Sequence, residues 1–132
     1  GTSIGTWYAA LRKPSFSLPG WIFAPAWTTL YALMGIAVFL IWRMGYDAPG
    51  VRMALIVFAV QLILNALWSP AFFGLRSPVA GLCVIIPLWV AIVWTIAVFF
   101  PLSKPAALLL VPYIVWVSFA TVLNAALVYL NR

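Results

Sequence analysis

Between Arg52 and Arg76, and again between Arg76 and Lys104, the chain has no charged residue. About 20 consecutive apolar residues suffice for a helix to cross a ~30 Å hydrocarbon core, so each of these runs is long enough to span a membrane. Neither offers a polar face to water. With 67% hydrophobic residues, 6% charged and a mean hydropathy of +1.19, a soluble globular domain is excluded. The expected fold is an all-α integral membrane helical bundle.

Turn signals divide the chain into one membrane domain, 1–132, with four visible spans. The first runs over about 21–43 and ends at Arg43, before the turn-like GYDAPG. The second runs over about 52–73, the third over about 79–100 after GLRSP, and the fourth over about 106–130 after PLSKP. Pro87 lies inside the third span and predicts a bend there.

The formal charge of +6 does not indicate nucleic acid. The basic residues fall singly or paired at the ends of apolar runs, where they anchor spans at the interface and set topology. If the spans alternate, Arg12, Lys13, Arg76 and Arg132 share one side, and Arg43, Arg52 and Lys104 with Asp47 share the other. This small excess places the N-terminal loop and the C-terminus on the cytoplasmic side. Cys83 is the one cysteine and sits in an apolar run, so it is expected to be buried and inert. Without His or Glu, and with Asp47 as the lone acid, no metal site and no hydrolase triad is expected.

Three helical stripes stand out. Trp27, Tyr31 and Met34 recur at i, i+4 and i+7. Gln61, Asn65 and Ser69 repeat every four residues in the second span, with Trp68 beside them; they form either an interhelical hydrogen-bonded seam or the polar wall of a cavity into which Asn65 projects. Tyr113, Trp116, Ala120 and Leu123 share a face of the fourth span. That face is either core or a surface that accepts a flat aromatic ligand, with Ala120 leaving room.

Ahead of the first span, Pro14, Pro19 and Pro25 punctuate a segment that cannot be one continuous helix. Residues 1–20 are read as an interfacial loop, ringed by Trp7, Tyr8, Phe16, Trp21, Phe23 and Trp27, that lies over the bundle as a lid. The pattern W-Y-x-x-L-x-K-P-x-F-x-x-P-G-W-x-F-x-P-x-W-T-x-L-Y from Trp7 to Tyr31 resembles the signature of the TspO/translocator protein family, the tryptophan-rich sensory proteins and peripheral benzodiazepine receptors. The likeness continues as Q-L-x-L-N-x-x-W-S-x-x-F-F from Gln61 and as P-Y-x-x-W-x-x-F-A-T-x-L-N from Pro112. Leu18 departs from it, standing where the family usually has the first of two prolines.

This resemblance implies a five-helix bundle, four helices of which are visible in this chain, and a homodimer in a bacterial cytoplasmic membrane. It also implies a receptor or binding protein for planar tetrapyrroles such as haem and protoporphyrin IX, and for sterol-like or drug-like hydrophobic molecules. No cofactor is required; the porphyrin or haem is the ligand. By matching positions, Tyr8, Trp27, Asn65, Trp116 and Ala120 would line the cavity, and Trp21, Phe23 and Pro25 would shape the lid. Arg12 or Lys13 is available to a propionate.

Two other functions are compatible with the same residues. One is light- and oxygen-dependent porphyrin degradation with Trp27 and Trp116 in redox roles, the only catalytic assignment the chain offers. The other is a small structural subunit of a larger membrane pigment complex. Leu127, Tyr129 and Arg132 also fit a weak sterol-contact pattern.

Overall fold

The computed structural model describes residues 23–69 and 77–131, except for the side chains of residues 23, 69, 78 and 131. These residues form five helices: α1 Phe23–Trp42, α2 Val51–Ser69, α3 Pro78–Phe99, α4 Lys104–Leu109 and α5 Val111–Asn131. α4 and α5 together make one span, so four segments are long and apolar enough to cross a membrane.

Each helix starts where its sequence permits. Ser77 caps α3, its Oγ accepting from the Ala80 N–H at 3.0 Å, and Pro78 fills the first turn, where a missing donor costs least. Ser103 caps α4 in the same way with Ala106 at 3.3 Å, ahead of Pro105. Between α1 and α2 the chain reverses through Gly45 and Gly50, at φ of 100° and 85°, a region that side chains disfavour.

A Cβ on Gly50 would lie 3.3 Å from Leu102. The α1–α2 and α3–α4 turns therefore meet at one end of the bundle, with Arg43, Asp47, Arg52 and Lys104 gathered there. The side expected to hold Arg12, Lys13, Arg76 and Arg132 falls on residues outside the described ones.

The fourth span, read from the sequence as one helix over 106–130, differs in detail: it begins at Lys104 and is interrupted at Leu110. Pro112 has no N–H to donate to Leu108, and the Leu110 N–H turns to Ala107, so α4 closes and α5 restarts at Val111. α3, by contrast, runs through Pro87 without interruption.

Buried positions recur at helical spacing: Leu30, Met34, Ala37 and Ile41 on α1; Ile85, Leu88, Ile92, Thr95 and Phe99 on α3; Tyr113, Val117, Ala120, Asn124 and Leu127 on α5. The outward positions are apolar too, among them Ile36, Phe39, Ile63, Val90, Val115 and Val122. A helix that is apolar all round has lipid as its outer solvent. Cys83 corrects one expectation: it is exposed on the outer side of α3. Its neighbour Gly81 and the stripe of Ile85, Leu88 and Ile92 take the inward direction instead. In an all-apolar helix, hydrophobicity alone does not tell the two sides apart.

Candidate functional site

The helices of the bundle meet in two ways. Backbones approach closely where α2 meets α3 and where α3 meets α5, whereas α5 stands farther from α1 and α2. Large side chains fill that wider space. Trp27, half-buried on α1, is its centre: its ring centroid lies 5.8 Å from Tyr31, 6.4 Å from Trp68, 6.3 Å from Tyr113 and 6.3 Å from Trp116. The contacts with Tyr113 and Trp116 are edge-on, at 74° and 85° between planes, a geometry that sets a ring's positive edge against its neighbour's negative face.

A polar chain runs beside the rings. Tyr31 donates to Asn65 Oδ1, Asn65 Nδ2 donates to the Tyr113 hydroxyl at 2.7 Å, and that hydroxyl donates to Gln61 Oε1 at 2.7 Å. Gln61 Nε2 ends the chain 4.0 Å from the sulfur of Met34. Asn65, Gln61 and Tyr113 are all buried, in a setting where a polar group without a partner is costly. Farther along, Trp68 Nε1 donates to Asn124 Oδ1 at 3.2 Å, again joining α2 to α5. Asn65 thus belongs to a hydrogen-bonded seam, and that seam also borders the ring cluster.

Of the positions singled out from sequence, the fold brings Trp27, Asn65 and Trp116 together, with Ala120 buried one turn beyond Trp116 on the inner face of α5. Pro25 is exposed in the first turn of α1, its carbonyl accepting from Thr29 Oγ1 at 2.9 Å. Tyr8, Trp21 and the side chain of Phe23 lie outside the described residues, as does Arg132. Leu127 and Tyr129 are not brought together: Leu127 is fully buried and Tyr129 is 67% exposed. Residues two apart on a helix point to different sides.

The cluster also takes in Tyr31, Gln61, Tyr113 and Trp68. Tyr31 follows Trp27 by four residues and Gln61 precedes Asn65 by four, and that spacing is the signal that connects them to the site.

These features define a helical membrane protein whose interior, between α1, α2 and α5, is built from tryptophan, tyrosine and carboxamide side chains instead of small or aliphatic ones. A model of the TspO/MBR family matches residues 1–130. The tryptophan-rich protein TspO of Chlorobaculum tepidum is 47% identical over 125 residues, covering 95% of this chain and 79% of that protein. The protein of the same name in Archaeoglobus fulgidus is 47% identical over 129 residues, covering 98% and 82%. The human translocator protein is 38% identical over 119 residues, covering 89% and 70%. The chain belongs to the TspO/MBR family and is an integral membrane protein.

Proposed function

We propose that this protein is a membrane receptor for planar tetrapyrroles, haem and protoporphyrin IX, and for related flat hydrophobic ligands, in a regulatory or tetrapyrrole-handling role. The observation that carries this reading is the ring cluster around Trp27, at 5.8–6.4 Å between centroids, with the Asn65 amide at its border. Such a cluster holds a space open between helices by filling it with flat, polarisable groups. A flat ligand replaces ring–ring contacts with ring–ligand contacts of about 0.5–1.5 kcal/mol each, so insertion costs little packing. The Asn65 amide both donates and accepts, and it fixes the ligand's orientation through one polar atom.

The test is an absorbance titration of protoporphyrin IX and haem into the protein in lipid nanodiscs, for wild type and for Trp116→Leu combined with Ala120→Phe. Saturable binding that the double variant loses, at unchanged helical content by circular dichroism, supports the reading. Equal binding by both proteins places the ligand elsewhere and overturns it.

A further inference from the structure

At the end of the bundle where the α1–α2 and α3–α4 turns meet, a cavity of about 450 Å³ is lined by Tyr46, Asp47, Ala48, Gly50, Arg52, Met53 and Ile56. It is separate from the ring cluster. Its depth in the bilayer is marked by Trp42 and Tyr46, both exposed, since such rings collect at the headgroup level. Asp47, the only acid of the chain, accepts from Arg52 Nη2 at 3.3 Å, and the Arg52 guanidinium lies 4.7 Å over the Tyr46 ring.

Below them an outward stripe of α2, Met53, Ile56, Val60, Ile63 and Leu67, runs exposed and apolar into the hydrocarbon layer. The first turn of α2 adds donors. The N–H groups of Val51 and Ala54 bond Ala48 and Gly50, while among the described residues those of Arg52 and Met53 have no backbone partner.

We infer that this cavity is a binding site for the headgroup of a zwitterionic phospholipid, of the phosphatidylethanolamine class. The phosphate takes the Arg52 guanidinium, which has donors beyond the one that Asp47 uses, and faces the first-turn amides of α2, where anions are favoured. The primary ammonium takes the Asp47 carboxylate, and one acyl chain follows the Met53, Ile56 and Val60 stripe. Exchanging one ion pair for two keeps every charge partnered.

The chemistry selects among lipids. A purely anionic headgroup would set its charge against Asp47. A choline headgroup has no N–H for the carboxylate, and the one ring in the cavity already has Arg52 over a face, which leaves no aromatic cage for a quaternary ammonium.

The test is native mass spectrometry of the full chain released from nanodiscs of equimolar phosphatidylethanolamine, phosphatidylglycerol and phosphatidylcholine. Phosphatidylethanolamine should be the lipid retained, in a one-to-one adduct. Arg52→Gln should lose that adduct, and Asp47→Asn should shift retention toward phosphatidylglycerol; both residues are exposed, and helical content should not change. Glycerophosphoethanolamine, the headgroup without chains, should not displace the lipid.

Equal retention of the three lipids, or a phosphatidylethanolamine adduct that survives Arg52→Gln, overturns the inference. So does displacement by the soluble headgroup, which would mean a site for free phosphodiesters, and so does a dimer that retains no lipid. None of these outcomes bears on tetrapyrrole binding.

Discussion

The α2–α3–α5 seam and the space between α1, α2 and α5 are both buried, yet they are built on different rules. Along α3, where it packs on α2 and α5, the buried side chains are aliphatic or small apart from Phe58 and Phe99, which stack at 6.0 Å, and the buried hydroxyl of Thr95 bonds its own helix at Ala91. The hydrogen bond that crosses this seam, from Trp89 on α3 to Ser118 on α5, lies at its exposed rim. Around Trp27 several polar side chains reach across to another helix: Tyr31 to α2, Asn65 and Gln61 to α5, Trp68 to Asn124. The first region is a scaffold whose stability comes from close packing. The second is held apart by its own side chains, and under the proposed function it is these, not the scaffold, that would rearrange around a ligand.

The sharpest way to break this distinction is at Phe99, which is fully buried in the scaffold. Phe99→Ala should cost about 3 kcal/mol in unfolding by denaturing detergent, while the folded fraction should bind protoporphyrin IX as wild type does. A large loss of affinity in that folded fraction would merge the two regions into one.

Asn65→Leu should act the other way, weakening tetrapyrrole binding about tenfold, or 1.4 kcal/mol, with a smaller effect on unfolding. Tyr113→Phe removes the hydroxyl that joins Asn65 to Gln61. It should lower stability by about 1 kcal/mol and reduce affinity less than Asn65→Leu does, because the hydroxyl positions Asn65. Trp89→Phe tests the outer surface. Trp89 donates to Ser118 Oγ at 2.8 Å on the exposed side of α3, and losing that bond should cost ~0.6 kcal/mol or less, within the range of hydrogen bonds between membrane helices. Ligand affinity should not change.

Membrane insertion and the number of visible spans are legible from the uncharged runs alone, because length and apolarity are properties of each segment by itself. The faces of α1, α2 and α5 are legible from four-residue spacing. The pairing between them is not. That Tyr31 meets Asn65, or that Tyr113 sits between Asn65 and Gln61, depends on which helices become neighbours and at what depth, and three apolar helices of similar length leave that register open.

Cys83 fails for a related reason: in a helix whose two sides are equally apolar, hydropathy does not distinguish protein from lipid. The break at Leu110 was present in the sequence as Pro112, but a proline one turn inside an apolar run reads equally well as a tolerated bend. α3 runs through Pro87 while the last span divides ahead of Pro112.

Under the proposed function the ligand enters the ring cluster and leaves the rest of the bundle alone. Fluorine NMR of protein labelled with 5-fluorotryptophan reads this residue by residue, each resonance assigned by a single Trp→Phe substitution. On addition of protoporphyrin IX the resonances of Trp27, Trp68 and Trp116 should shift or broaden, and those of Trp42, Trp89 and Trp94 should not change. Shifts confined to Trp42, Trp89 or Trp94 would contradict it, since they would put the ligand on the lipid-facing surface and leave the cluster around Trp27 as core.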